Sequence, residues 1–268
     1  MHVSSLVTYP VKGCAGAALE SARVGATGLE HDRAFMIVDA DGTFRSQRSD
    51  PVLALVRCSV TDEVLTLQHP SAGSVTVAVD RDSAAHQVTM FGAPMRGIDQ
   101  GDEIAAWLAE VIEEPARLVA APRDLGRVTD GISPGSAQFA DSSAVHIVST
   151  ATLAGLNSRL DVALPMNRFR PNIVIDGWEQ PHREDEVRDV GVGSVDLAYT
   201  KLAIRCAVTT VEQSTGLRTG PEPLRTLATY RRARQKGVAF GAKFSVMQEG
   251  TVTVGDELRV GSWGESEL

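Results

Sequence analysis

Residues 53–91 read LALVRCSV, TDE, VLTLQH, PSAG, SVTVAV, DRDSAA and HQVTMF, four short runs rich in β-branched and apolar residues separated by turn formers. Alternation at a period of two suits half-buried strands, and Pro, Gly, Asp and Ser break them at regular intervals. Upstream, HVSSLVTY (2–9) and RAFMIVD (33–39) have the same character, and Asp41-Gly42 is a hairpin signal. Evenly spaced short strands predict a barrel-like β unit at the N-terminus.

Downstream the period changes. After Gly101-Asp102, residues Ile104, Trp107, Leu108, Val111 and Ile112 recur at helical spacing until Pro115, which predicts a helix closing the first unit. Residues 124–138, DLGRVTDGISPGSAQ, lack apolar periodicity and read as a long loop, a place where function often resides. A strand VHIVS (145–149) precedes a helix capped by Ser149 or Thr150, with Leu153, Leu156 and Leu160 on its apolar face and Asn157 and Arg159 toward water. Strands NIVID (172–176), VDLAYTKLAIRC (195–206) and FSVMQEGTVTVGDELRV (244–260) frame a last helix, with Pro223 in its first turn and Gly237 as terminator. The expected class is mainly β with a few helices: a β-barrel-like unit over residues 1–117 packed against a second β unit over 118–268.

Composition narrows the function. The 268 residues are 43% apolar, enough for a substantial core, and a net charge of -8 argues against general affinity for nucleic acid or anionic membranes. Any bound anion must therefore meet a local basic pocket. Three cysteines without a C-x-x-C pair spell neither a disulfide framework nor a zinc or iron–sulfur site, and they fit a reducing, cytoplasmic setting. The N-terminus lacks the pattern of a signal peptide, and no apolar run approaches the length of a membrane span.

Three motifs fail on chemistry. Residues 131–135, GISPG, match the form of a nucleophile elbow around Ser133, but Pro134 has no N–H for an oxyanion hole. GVGSVD from Gly191 lacks the third glycine of a dinucleotide fingerprint and precedes a strand. The histidines form no metal-ligand pattern; His146 reads as a packed strand residue and HRED from His182 as a solvated turn.

Cys206 stands out, following Arg205 and preceding Thr209, Thr210 and a turn. A thiolate is a soft metal ligand favoured by a neighbouring cation, while a buried cysteine also serves as a small hydrophobe. Lys12, Arg33, Arg48, Arg168, Arg170 and Arg205, with Asn172, fall at strand ends and in loops. Converging arginine forks make a pocket for a phosphorylated cofactor, whereas singly each is a surface charge.

YPVKGC (9–14), GLEHDRAFMIVDADGTFRSQR (28–48), FADSSAVHIVS (139–149), RFRPNIVIDG (168–177), EDE (184–186) and IRCAVTTVEQSTG (204–216) occur in order. Together they resemble the MOSC family along nearly the whole chain, with a MOSC N-terminal β-barrel domain over 1–117 and a MOSC domain over 118–268. The resemblance implies a molybdenum cofactor whose metal is ligated by Cys206, in a pocket lined by Lys12, Gly13, Arg33, Arg168, Arg170, Asn172, Arg205 and Thr209, with Asp141 near the metal. It also implies reduction of N-hydroxylated bases, hydroxylamines or amidoximes, fed with electrons by a separate redox protein. Neither an iron–sulfur cluster nor pyridoxal phosphate is expected in this chain. A carrier of the cofactor, or of a persulfide on Cys206, is the alternative, and a scaffold that has lost the cofactor a third. Gly13 stands where the family commonly has serine, Glu212 where it has aspartate and Lys243 where it has asparagine, which bears on substrate preference.

Overall fold

Alternation along residues 35–38, FMIV, decides how the N-terminal half packs. In a computed structural model describing residues 1–234 and 236–268, all four side chains of this strand are buried. Phe35 and Ile37 enter one core with Leu53, Leu65, Leu67 and Leu108, while Met36 and Val38 enter another with Val88, Met90 and Phe139. Successive side chains of a strand point to opposite faces, so one strand serves two cores. It lies in a five-stranded sheet ordered His86–Met90, Ala93–Asp99, Arg117–Ala120, Phe35–Val38 and Val11–Lys12.

The chain is mostly β, as its turn-punctuated pattern predicts. Strands Val64–His69, Gly73–Ala78 and His86–Met90 lie close to their expected positions, but half of LALVRCSV departs. Pro51 starts a 3-10 turn over Pro51–Leu55, and the strand begins only at Arg57. Pro at the first turn position has φ preset for a helical turn, which the apolar pattern alone does not reveal.

Eight strands form the largest sheet, ordered Leu258–Trp263, Val187–Val192, Val195–Arg205, Val238–Gln248, Val145–Ser149, Ile173–Asp176, His2–Thr8 and Ala17–Leu19. Only Val145–Ser149 and Ile173–Asp176 run parallel among its pairs, and the crossover between them carries a helix, as parallel neighbours require. The start of the first strand in that order reaches back to the seventh, His2–Thr8: Val3 N donates to Asp256 O at 2.9 Å and Leu258 N to Met1 O at 3.0 Å. The sheet thereby curls around a core that includes Val3, Leu6, Ile147, Ile175, Val190, Leu197 and Phe244.

Several sheets join strands from both sides of residue 117. Arg117–Ala120 pairs with Phe35–Val38, and His2–Thr8 pairs with Ile173–Asp176. Strand Ser21–Gly25 likewise pairs with Gly250–Thr253.

Among the described residues the α-helices are α1 (Asp102–Ile112), α2 (Thr150–Asn157) and α3 (Leu224–Tyr230). In α1, Ile104, Trp107, Leu108 and Val111 are buried, and Glu113 ends the helix in the left-handed region (φ 62°) before Pro115 is reached. Helix α2 begins at the cap Ser149, which accepts from Thr152 N at 3.1 Å. Asn157 does not face water: its Oδ1 accepts from Leu164 N at 2.9 Å and its Nδ2 donates to Leu164 O at 3.0 Å, closing the following loop. In α3, Pro223 is the cap rather than part of the first turn, and the helix ends at Tyr230, ahead of Gly237.

Residues 182–185 correct a second expectation. HRED is not a solvated turn, because Glu184 and Asp185 are fully buried. Glu184 accepts from Ser149 N at 3.2 Å, Ser149 Oγ at 3.1 Å and Thr152 Oγ1 at 3.0 Å, at the N-terminus of α2. Asp185 pairs with buried Arg231. A carboxylate at a helix N-terminus complements its free N–H groups and dipole, which explains why this string folds inward.

Candidate functional site

Strand Val195–Arg205 stops where its ladder ends, and Cys206 follows in extended geometry (φ -126°, ψ -177°) before a 3-10 turn at Ala207–Thr210. Local hydrogen bonds fix this turn. Thr209 donates to Cys206 O from its N (3.1 Å) and Oγ1 (2.9 Å), and Thr210 Oγ1 donates to Ala207 O at 2.7 Å. Arg168, only 2% exposed, clamps it from behind: Nη1 donates to Thr209 O at 3.2 Å, and Nη2 to Glu212 Oε2 at 2.7 Å and Thr219 Oγ1 at 3.0 Å. On the other flank, Gln47 Nε2 donates to Gly13 O at 2.7 Å, and Gln213 Nε2 to Gln47 Oε1 at 2.8 Å, joining the turn after Lys12 to the segment after Cys206.

In front of Cys206 lies a cavity of about 320 Å³. Lys12, Gly13, Arg33, Asp141, Arg170, Asn172 and Arg205 line it with Cys206, drawn together from both halves of the chain. Arg168 and Thr209 do not line it. Both terminal nitrogens of Arg168 and the hydroxyl of Thr209 bond the loop that carries Cys206, so they position the cysteine rather than face the cavity, while Arg168 Nε is buried without a partner among the described residues. Arg48, singled out among the basic residues, lies exposed at the mouth.

Behind the cationic wall stands a buried carboxylate. Asp32 accepts from Arg33 Nη1 (2.7 and 2.6 Å), Tyr9 N (2.9 Å) and Asn172 Nδ2 (2.9 Å), so its lone pairs are well used. Asn172 Oδ1 accepts from His146 N at 3.1 Å, which fixes the amide. Arg33 (φ 48°) and Arg170 (φ 53°) both adopt the left-handed region, and each guanidinium lies 4.2 Å from the centroid of the Tyr9 ring. Such backbone geometry is unusual for arginine and is held here by the surrounding bonds. Burial pushes the Tyr9 phenol up, with Arg170 and Arg33 opposing.

Lys12 is buried, donates from Nζ to Phe139 O at 2.9 Å and pairs with Asp141. Burial lowers its pKa, and Asp141 acts against that shift. For Asp141, crowding by neighbours works upward, but Lys12, then Lys243 and Arg33, prevail and hold the carboxyl below the usual carboxylate range. Its side chain is nevertheless 63% exposed, so water screens the pair. Burial also lowers Arg170 and Arg205, and it depresses Lys243 to about 7 with help from Arg33 and Arg205. His146, expected as a packed strand residue, is indeed buried, yet it also borders the cavity; burial and then Lys243 hold it well below the ordinary histidine value.

Lys201 escaped the sequence reading, and Lys243 enters there only as a departure from the family's asparagine. Lys201 and Lys243 lie opposite each other on neighbouring strands, an arrangement that like charges disfavour. Lys201 is paired with Asp130 at 2.6 Å; Lys243 forms no ion pair among the described residues. The available signal was a lone lysine interrupting each apolar strand. Phe44 and Phe91 at the mouth were also missed, because an aromatic residue in a strand pattern reads as core.

The donors point to what fits. Arg170 Nη1 and Arg205 Nε are buried and have no hydrogen-bond partner among the described residues. Orphaned guanidinium N–H groups at a cationic cavity suit an acceptor-rich or anionic ligand. Among the described residues no group of three His, Cys, Asp or Glu is placed to hold a metal. A metal beside Cys206 therefore needs an organic ligand of its own, and a phosphorylated dithiolene cofactor meets both requirements.

Residues 1–115 match the MOSC N-terminal beta barrel domain and residues 134–259 the MOSC domain. The mitochondrial amidoxime reducing component 2 of Rattus norvegicus is 32% identical over 276 residues, covering 95% of this chain and 81% of that protein. The mitochondrial amidoxime-reducing component 1 of Homo sapiens is 31% identical over 274 residues, with 95% and 81% covered. The solved YUAD protein of Bacillus subtilis aligns with 96% of this chain and 93% of its own at 10% identity, with a TM-score of 0.42 too low to carry an argument. No helix among the described residues is long and apolar enough to cross a membrane.

Proposed function

Since the chain belongs to the MOSC family and is similar throughout to amidoxime-reducing components, we propose that it is a molybdenum-cofactor-binding reductase of N-hydroxylated compounds. The observation that carries this reading is Cys206 at the wall of a cationic cavity with two orphaned guanidinium donors. When bound, the cofactor supplies the two-electron chemistry by which R–NH–OH, with two electrons and two protons, becomes R–NH2 and water.

The remaining work falls to this chain. Cys206 supplies the protein's thiolate to the metal, held in place by Thr209 and the Arg168–Glu212 pair. Lys12, Arg33, Arg170 and Arg205 offer donors to the cofactor's phosphate and heteroatoms, Asn172, whose amide N–H groups are given to Asp32 and Val7, braces the wall behind them, and Gly13 lies beside Lys12. Asp141, held ionised and reached by water, orders solvent or a ligand N–H at the mouth. Electrons come from a separate redox protein in this reading, and no iron–sulfur cluster or pyridoxal phosphate takes part. Three free cysteines support a reducing compartment, which we take to be the cytoplasm.

The test is turnover by protein made in a cofactor-competent host, with reduced viologen as donor and an amidoxime or an aryl hydroxylamine as substrate. Appearance of the amidine or amine supports a reductase. Bound molybdenum released to an apo-acceptor, with no reduction of either substrate, would instead establish a carrier.

A further inference from the structure

A second cavity, of about 540 Å³, opens beside strand Ser21–Gly25, with Glu63 at the tip of the hairpin Arg57–Thr61/Val64–His69 on its wall. Among the described residues it shares no lining group with the cavity at Cys206. Arg81 anchors it. The Arg81 side chain is 10% exposed and lies over Phe35, with Cζ 5.3 Å from the ring centroid. Its Nη1 donates to Ala121 O at 3.0 Å, while Glu63, 3.7 Å from Nε, is beyond hydrogen-bond reach. Nε and Nη2 therefore make no hydrogen bond among the described residues. Arg123 lines the same cavity and pairs with no carboxylate among the described residues. Burial lowers the Arg81 pKa, Glu63 opposes that shift and Arg123 adds to it, so the two guanidinium groups crowd one another. Gln138, also on the wall, has its Oε1 buried with no partner among the described residues, while Arg127 Nη1 holds its backbone carbonyl at 2.7 Å. A buried orphan acceptor asks for a donor, and crowded guanidinium groups ask for an anion. The lining carries three arginines and three glutamates, so a ligand with both signs of charge matches it better than a bare anion.

We propose that this cavity binds a zwitterionic α-amino acid, whose carboxylate takes the free N–H groups of Arg81 together with Arg123 and whose ammonium donates to Gln138 Oε1 and meets Glu63. The ligand separates the two guanidinium groups from one another and supplies the orphaned carbonyl with the donor it lacks. Arg81 is held for the task by its bond to Ala121 and its contact with Phe35. No residue assigned to the cofactor takes part, so the site stands apart from the reductase reading.

The test is titration calorimetry of the full chain with L-alanine, L-leucine, L-glutamine and L-lysine, which carry different side chains on one head group. At least one is expected to bind at sub-millimolar concentration. Its N-acetyl derivative and its decarboxylated amine should each bind about tenfold or more weakly, because each loses a charge-assisted contact. Gln138→Met removes the orphaned acceptor at similar length, so it should weaken binding about tenfold while melting no lower than the parent. Arg81→Met should weaken binding at least as much, and Arg123→Ala, at an exposed position, should weaken it and flatten its salt dependence. No binding of any of these amino acids at millimolar concentration overturns the site. So does unaltered affinity in Gln138→Met or Arg81→Met, or an N-acetyl derivative that binds as tightly as the free amino acid. Inorganic phosphate binding more tightly than all of them would leave a plain anion site and overturn the amino acid. Every outcome is read without turnover, so the site survives if no N-hydroxylated compound is reduced, and the reductase reading survives if the site fails.

Discussion

Arg168→Met separates a residue that touches cofactor from one that holds the loop behind it. The substitution keeps apolar bulk and removes the bonds to Thr209 O, Glu212 and Thr219. Breaking a fully buried ion pair costs about 3–5 kcal/mol, but Glu212 is 26% exposed and can regain water, which favours the lower end. We expect a loss of about 3 kcal/mol, about 1.5–3 of it from the charge-assisted bond to Glu212. At roughly 2–4 °C per kcal/mol for a domain of comparable size, melting should fall by about 6–12 °C. The assay is thermal and urea unfolding of variant and parent, with molybdenum content measured on the same preparations. Arg168→Met melting within about 1 °C of the parent while losing its metal would refute the reasoning, because it would make Arg168 a direct cofactor contact.

Three further outcomes follow from buried groups and backbone geometry. Lys243 has a folded pKa lowered to about 7 against about 10.4 unfolded, so between those values the unfolded chain holds a proton that the folded chain lacks. Stability from this group therefore rises with pH through that window, and its burden is full below pH 7; Lys243→Met should be more stable than the parent at pH 6.5, with the gap shrinking at pH 9.5 in urea titrations. Glu184→Ala strips a buried carboxylate from Ser149 and Thr152 and should cost about 2–3 kcal/mol in urea unfolding, whereas Glu184→Gln, which keeps an acceptor, should cost less than about 1. Gly13 has φ +89°, so Gly13→Ser, whose Cβ would make only ordinary contact with Ser46 Cα at 3.4 Å, should lose about 1 kcal/mol in the same assay through backbone strain.

Local patterns revealed what local physics decides. The strands Val64–His69, Gly73–Ala78 and His86–Met90 and helix α1 depend on local periodicity, and they were legible, whereas the 3-10 turn at Pro51–Leu55 was not. Nor was direction. Arg168 and Arg170 are two residues apart, yet one clamps a loop and the other lines the cavity, a difference made by the left-handed turn at Arg170. Long-range pairing was equally hidden: nothing in HVSSLVTY says that it joins Ile173–Asp176 across most of the chain. Glu184 and Asp185 read as solvent-facing because charge predicts exposure, until a helix N-terminus and Arg231 supply partners. Phe91 looked like the end of a strand, and only its turn geometry shows that it stands at the mouth.

The most direct test of the account is molybdenum per chain, by elemental mass spectrometry, for the parent and Cys206→Ala from a cofactor-competent host. The account predicts close to one metal per chain in the parent and a marked fall in the variant. Equal metal in both would contradict Cys206 as ligand, and no metal in the parent would contradict the cofactor site itself.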